Sequence, residues 1–561
     1  MTLYDAFSRN SPNKVFASIV LGALAGIAYA LLIPIVLNSL PTESGVIARG
    51  VPVRPDTFLG LEVSNIQMAA LFLSICLFIL FARSTSQIVL LRVSMDIASE
   101  LRLKIYRRIG GTPIVFLERM GASRLIAVLT TDVNRIVIGA RSLPDLLISI
   151  VTLTGMLGFL LYMNIAVFWF VMGAILFGAV SYQIPLHFGK RYFIRSRAAT
   201  DELQESVRGL IHGAKELKLN NVKRASFFRE SLEAHEAEIR KSDKLGYTIV
   251  RASMNYGDLI SFFVIGAIAF VFVNYRAVTH SELLGVIMAL LYVTGPVANI
   301  LNNIPPVLLA KVSLRKVNGM LAELPEEPGA DGQCAPVAWS VLRFSGVQYQ
   351  HQGADGAGFK VGPIDLEIAR GEVTFIVGGN GSGKSTLSKL ITLHYVPTDG
   401  VIAFGETTVD MATLASCRQQ IGAIFTDYYL FDRLLGVADQ GLQQRIDAYL
   451  VALRLAHKVT VKDGRFSTLA LSDGQKKRLA LLVALLDDKS LYLFDEWAAD
   501  QDSTFKDVFY NTILPDLKAM NKAVVVISHD DRYFDVADKV LVMEEGRLVR
   551  VERRPSAVQL A

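Results

Sequence analysis

Cysteine is scarce: three residues in 561, at Cys76, Cys334 and Cys417. An odd number at these separations supports neither a disulfide framework nor a zinc site, so the thiols read as reduced bystanders. Charge of one sign is scarce too. A net +5 over this length gives no reason to expect a nucleic-acid partner. A cleavable leader is not expected either, because MTLYDAFSRNSPNK stays polar too long and the apolar run after it is too long for an h-region. Apolar residues are plentiful, at 52% with a mean hydropathy of +0.39. That is too apolar for an ordinary cytosolic enzyme, and 561 residues leave room for two or more domains.

The apolar excess is confined to the first 310 residues or so. Crossing the hydrocarbon core takes about 20 mostly apolar residues in a helix. Six runs qualify: Val15–Leu40, Ile66–Leu91, Ile136–Tyr162, Ile165–His187, Tyr256–Asn274 and Leu283–Ile304. Six such runs together exclude a set of buried core helices and predict a chain embedded in a lipid bilayer. Lys and Arg crowd into 92–135 and 189–251, while the alternate connections are short and carry few. Positive charge is held inside, so both basic loops and both termini are expected in the cytoplasm. These loops also carry apolar residues at helical spacing. The spans should therefore continue as helices below the membrane, joined by short transverse helices near GTPIVFLERMGAS and GLIHGAKELKL that offer a contact surface to the second half of the chain. Arg83, Arg141, Asp145, His187 and Asp258 are the polar groups in or near the spans; Gly295-Pro296, followed by Asn299, Asn302 and Asn303, suggests a kink beside an internal cavity.

The expected architecture is an α-helical six-span transmembrane domain (1–312), a Pro/Gly-rich linker (313–336) and an α/β phosphate-loop domain (337–561). In the last, EVTFIVGGNGSGKSTLSKLI reads as strand, glycine loop and helix. Gly378, Gly379, Asn380, Gly381, Ser382, Gly383, Lys384 and Ser385 fit G-x-x-x-x-G-K-S in full, with Thr386 next. The glycines let backbone N–H groups wrap a phosphate at a helix N-terminus. Lys384 would reach the β- and γ-phosphate oxygens and the Ser385 hydroxyl would ligate Mg²⁺. The apolar strand LYLF delivers Asp495 towards the metal, with Glu496 placed to polarise an attacking water. A further strand, AVVVIS, ends in His529, placed to sense the γ-phosphate.

This phosphate loop, the turn Leu471-Ser472-Asp473-Gly474-Gln475 about 90 residues later, the Asp-Glu strand and the strand ending in His together resemble the ATP-binding cassette (ABC) transporters. The resemblance covers essentially the whole chain and is to a half-size exporter. It implies a homodimer in which two cassettes sandwich two ATP molecules, with Ser472, Gly474 and Gln475 of one copy facing the γ-phosphate held by the other. Within the family, FIVGGNGSGKSTL, GQKKRLALL, FDEWAADQD and ISHDDRYF resemble the cyclic-peptide exporters, the group that includes pyoverdine, syringomycin-type lipopeptide and microcin exporters. The resemblance therefore implies ATP-driven export of a cyclic or other peptidic metabolite, such as a siderophore precursor or lipopeptide, from the cytoplasm of a Gram-negative bacterium across its inner membrane. A lipid or multidrug exporter, and a siderophore importer of the same shape, are the alternatives.

Several positions depart from the family pattern. Asp473 replaces the usual signature glycine, Thr426-Asp427 stands where a glutamine is usual, and EWAADQD replaces the common EATSALD, putting Asp502 in the family aspartate's place. The adenine-stacking position falls on His351 by alignment, with Tyr349 two residues earlier on the same strand face. Two roles fit Asp427: ligating Mg²⁺, or coupling to the basic transverse helices. Since Ser472, Gly474 and the following helix supply the phosphate contacts, Asp473 is expected to point outward towards Lys476 or Lys477.

Overall fold

The computed structural model describes residues 12–39, 56–58, 61–63, 66–275, 280–327, 335, 337–351, 358–436 and 442–554. Cys334, the chain ends and most of the Pro/Gly-rich stretch after Glu327 lie outside the described residues, as does the side chain of Asp258. The chain divides into two units, one of residues 1–105 and 126–320, the other of 106–125 and 321–561.

The first unit is helical. Among the described residues, six helices are long and apolar enough to cross a membrane. They are α1 (Pro12–Ser39), α2 (Ile66–Gly110), α4 (Ala122–Met163), α5 (Ile165–His212), α7 (Asn221–Phe270) and α8 (His280–Glu323). Short helices α3 (Ile114–Met120) and α6 (Ala214–Leu219) lie at the two expected transverse positions. Helices of 45 and 48 residues (α2 and α5) exceed a bilayer's thickness, as the helical periodicity of the basic loops requires. Large apolar side chains such as Phe81, Leu176, Phe177 and Phe263 stand exposed on the outer faces, where lipid tails would cover them.

Small residues bring these helices close. A Cβ on Gly22 would meet Ile148 at 2.9 Å, and one on Gly139 would lie 2.6 Å from the Pro306 carbonyl. Two of the charged groups singled out in the spans have local partners: Arg83 donates to the Tyr29 hydroxyl at 3.3 Å and Gln87 donates to Asp145 at 2.5 Å. Pro296, Pro305 and Pro306 all sit inside α8, which continues through them. Residues 313–323, expected as the start of the linker, are the last turns of α8. KVSLRKVNGMLAE contains no proline, its one glycine, Gly319, is tolerated inside the helix, and the helix stops just before Pro325, which disfavours helical backbone at the residue preceding it.

The second unit holds two large sheets and a short two-stranded ribbon, Val461–Lys462 with Arg465–Phe466. One has six strands in the order β10-β9-β3-β8-β7-β6: Arg547–Arg553, Lys539–Glu544, Val373–Gly378, Ala523–Ile527, Leu491–Asp495 and Ile421–Ile424. All pairs are parallel except β9 with β10. The central strands β7 and β8 are buried along their whole length, which is why LYLFD and AVVVI read as continuous apolar runs instead of alternating. The second sheet, antiparallel, runs β2-β1-β4-β5: Lys360–Ala369, Val341–Gln350, Asp399–Phe404 and Thr407–Thr408. Parallel order aligns the C-terminal ends of β3, β7 and β8 on one edge, and the phosphate loop, Asp495-Glu496 and His529 all follow from that edge.

Helix α3 belongs to this second unit. Ile114 and Val115 pack against the cluster that contains Tyr349, Leu390 and Tyr395, and Glu118 forms an ion pair with Lys389 at 2.7 Å. The contact surface expected for the first transverse helix is thus realised.

Candidate active site

The loop between β3 and helix α9 (Lys384–Ile391) needs glycine for steric reasons. A Cβ on Gly378 would lie 2.3 Å from the Met543 carbonyl, and Gly383, the N-cap of α9, has φ +99°. Lys384 is buried and its ammonium donates to the Gly378 and Gly379 carbonyls at 2.7 and 2.9 Å, so its charge lies over the loop itself. The Ser382 hydroxyl is buried without a hydrogen-bond partner, and the first N–H groups of α9 have no intrahelical acceptor. Unpartnered donors around a bare loop fit a polyphosphate.

Beside it, β7 ends in the buried Asp495. Burial, reinforced by the neighbouring Glu496 and Asp427 carboxylates, pushes the Asp495 carboxyl up to about 6, with Lys384 pulling the other way. Three carboxylates against two lysines, Lys384 and Lys389, leave negative charge that a divalent cation would balance. Among the described residues no cage of three His, Cys, Asp or Glu ligands forms. Asp427 and Thr426 are both exposed, and the Thr426 hydroxyl donates to the Asp495 carbonyl at 3.4 Å.

Glu496 takes a left-handed backbone, φ 49° and ψ 30°, its N–H held by the Ile527 carbonyl. This turns its carboxylate to 3.2 Å from His529 Nε2. A non-glycine residue held there at a cost is a frequent mark of a catalytic position. The next residue, Trp497, is buried, and its indole donates to the Lys477 carbonyl at 2.9 Å, while the Lys477 ammonium donates to the Glu496 carbonyl at 3.2 Å. Trp497 was not singled out from sequence, and Lys477 was named only as an alternative partner of Asp473; its ammonium instead meets the Glu496 carbonyl and Asp500.

The Ser472–Gln475 turn caps helix α10 (Asp473–Leu486) with a capping box: Ser472 Oγ accepts from the Gln475 N–H, and Gln475 Oε1 accepts from the Ser472 N–H. Asp473 occupies the first helical position. Its side chain is 86% exposed and lies 3.4 Å from the Lys476 ammonium, the outward placement expected. A carboxylate in the first turn favours the helix dipole. The intolerant position is the next one, since a Cβ on Gly474 would approach the Asp500 carbonyl at 3.0 Å. Asp502 accepts from the Phe505 N–H, capping helix α11 (Ser503–Val508), and pairs with Arg478.

At the adenine position, Tyr349 is buried with one ring face stacked on Tyr395, centroids 4.6 Å apart. His351 is only half-buried and its Nε2 lies 3.0 Å from the Thr386 hydroxyl. Burial, aided by the Lys389 charge, lowers its pKa, so the ring is neutral near pH 7. Lys389, Tyr395 and Glu118 were not anticipated. A lone carboxylate on the apolar IVFLERM helix was their only trace in the sequence.

Comparison with known proteins agrees with this geometry. The ABC transporter family matches residues 361–499, and the ABC transporter transmembrane region matches residues 15–297. The ATP-binding protein SyrD of Pseudomonas syringae pv. syringae is 30% identical over 469 residues, covering 81% of this chain and 83% of that protein. ATP-dependent lipid A-core flippases of Paraburkholderia xenovorans and Burkholderia orbicola are 25% and 26% identical, covering 82% and 83% of this chain and 78% and 80% of their own lengths. A membrane region built from six apolar helices, followed by a cassette whose phosphate loop, Asp-Glu strand and His strand meet at one sheet edge, makes this chain a half-exporter of the ABC transporter family, an ATPase coupled to transmembrane transport.

Proposed function

We propose that two copies of the chain form a homodimer in a bacterial inner membrane and export a cyclic or other peptidic metabolite, of the siderophore-precursor or lipopeptide kind, by alternating access. The observation that carries the catalytic part is the Glu496–His529 pair at 3.2 Å beside the phosphate loop. Lys384 and the loop N–H groups bind the β- and γ-phosphates, and Ser472 and Gly474 of the second copy close over them. His351 lies against the adenine. Ser385 and Asp495, with Asp427 nearby, would hold Mg²⁺, which neutralises phosphate charge when bound. Glu496 accepts the proton of a water that attacks the γ-phosphorus, the bond to the β-γ bridging oxygen breaks, and ADP and phosphate leave. His529 orients Glu496 and contacts the γ-phosphate. The cargo reading is supported by the 30% identity to SyrD, above the 25–26% shared with the flippases.

Cells carrying Glu496→Gln, compared with wild type by metabolite profiling, should accumulate one peptidic product inside and lose it from the medium. An unchanged distribution of every peptidic product overturns the cargo reading. A second reading, lipid export, is favoured by the flippase relatives covering over four-fifths of the chain. Stimulation of ATPase activity by lipid A precursors and not by peptides, in nanodiscs, would establish it, and ATP-dependent loss of cargo from inside-out vesicles would establish import.

A further inference from the structure

The first unit holds a partly open cavity of about 270 Å³ between α5, α7 and α8. Its lining is graded from end to end. Along α5 the wall passes from Val171 to Tyr182, along α8 from Leu290 to Asn302, and along α7, which runs the other way, from Val264 to Arg251. The antiparallel register of α5 and α7 is fixed by Tyr182 against Gly257 and Gly178 against Ile260. All three polar ends therefore lie together. At 1.5 Å per residue the two ends are about 16–20 Å apart.

Arg251 is the one charged residue in this wall, with Asn255 one turn along. Among the described residues it forms no ion pair. Arg251 is exposed and stands one turn before the fifth apolar run, at the polar mouth of the wall, and a guanidinium is a fork of donors matched to a carboxylate or phosphate. The opposite end offers only aliphatic side chains. A volume this small accepts one chain and a head group, not a whole macrocycle.

We propose that this cavity seats the acylated, acidic end of the exported cargo: a single hydrocarbon chain among Val171, Val264 and Leu290, and a carboxylate on Arg251, with Asn255 and Asn302 taking adjacent amides. The inference rests on the export reading and narrows its cargo class to anionic single-chain amphiphiles. Anionic bilayer phospholipid shares this chemistry and is the competing occupant.

The test uses the full-length dimer in phosphatidylcholine nanodiscs, with binding measured for N-dodecanoyl-glutamate, its dimethyl ester and N-acetyl-glutamate. N-dodecanoyl-glutamate should bind saturably and about tenfold or more tighter than either control, the size of a charge-assisted contact. Arg251→Gln should erase the preference for acid over ester, and Arg251→Lys should restore part of it, with basal ATPase activity unchanged in both. Equal binding of acid and ester to wild type, or a preference that survives Arg251→Gln, overturns the proposal. So does stoichiometric loss of probe binding when phosphatidylglycerol enters the disc, which would make the cavity a lipid seat. Failure here with accumulation intact in Glu496→Gln cells removes the cavity assignment alone; absence of that accumulation removes the export reading itself.

Discussion

The Tyr395 hydroxyl donates to Glu118 at 2.7 Å, joining the cassette to the transverse helix α3. The same carboxylate receives the Lys389 ammonium at 2.7 Å, and the Tyr395 ring stacks on Tyr349, two residues before His351. His351 in turn meets the edges of both tyrosines, with centroids 5.1 and 5.7 Å away. Burial disfavours the Glu118 carboxylate, but the Lys389 and Tyr395 hydrogen bonds and the Lys389 charge outweigh it and hold its pKa below the usual range. Tyr349, His351 and helix α3 are thus tied within one polar and aromatic cluster.

Loss of that tie should uncouple cargo from hydrolysis. Glu118→Gln and Tyr395→Phe are expected to leave basal ATPase activity within about twofold, since neither touches the phosphates, while cargo-stimulated activity falls about fivefold or more, in line with coupling energies of about 1–3 kcal/mol. Stimulated and basal rates measured on one reconstituted sample check this. Equal reduction of both would show that Glu118 only supports the fold.

Asp473 tests how much of the signature turn is structural. Its carboxylate faces solvent and Lys476, whereas the capping box is built by Ser472 and Gln475. Asp473→Gly should hydrolyse ATP within about twofold of wild type, because exposed ion pairs contribute little. Gly474→Ala should fall much further, its Cβ meeting the Asp500 carbonyl. If Asp473→Gly abolished nucleotide binding and Gly474→Ala did not, the orientation of this turn would be other than described.

The spans, the phosphate loop and the Asp-Glu strand were legible because their signals are local: runs of apolar residues, glycines at fixed spacing, and β7 and β8 apolar throughout. The two transverse helices were legible for the same reason, as short apolar stretches between basic ones. The end of α8 was not, because KVSLRKVNGMLAE carries helix and linker signals together and only Pro325 decides where the helix stops. Glu118 with Tyr395, and Lys477 with Trp497, were illegible in principle. Each pair joins residues 20 to 277 positions apart, and no local pattern encodes such a meeting.

His351 should make stability sensitive to mild acid. Its folded pKa is lowered, by burial first and then by Lys389, with Glu118 opposing. The folded state therefore binds fewer protons than the unfolded chain, and stability is lost as pH falls below the ordinary histidine value of about 6.5 towards the lowered folded one. His351→Gln removes that titration. Melting temperatures of the full-length protein between pH 7.5 and 5.5 should fall less steeply for the variant than for wild type. Parallel slopes would show that His351 protonates freely in the folded protein.

Trp497 stands where most exporters have alanine, and the structure gives the indole a heavy packing role. It is 1% exposed, lies 4.4 Å from the Phe509 ring and 6.1 Å from Phe505, and donates to the Lys477 carbonyl. Trp497→Ala empties that space and should destabilise the cassette by about 3–5 kcal/mol. Trp497→Phe keeps most of the ring contact and loses only the indole's hydrogen bond to a carbonyl that the helix already satisfies, costing about 0.5–1.5 kcal/mol. Because Lys477 also holds the Glu496 backbone, both variants should lose ATPase activity in the same order as they lose stability. Guanidinium unfolding followed alongside hydrolysis rate gives the comparison. An alanine variant as stable as wild type would mean that the neighbouring phenylalanines close over the gap, and a phenylalanine variant of full activity would separate the Lys477 tether from the position of Glu496.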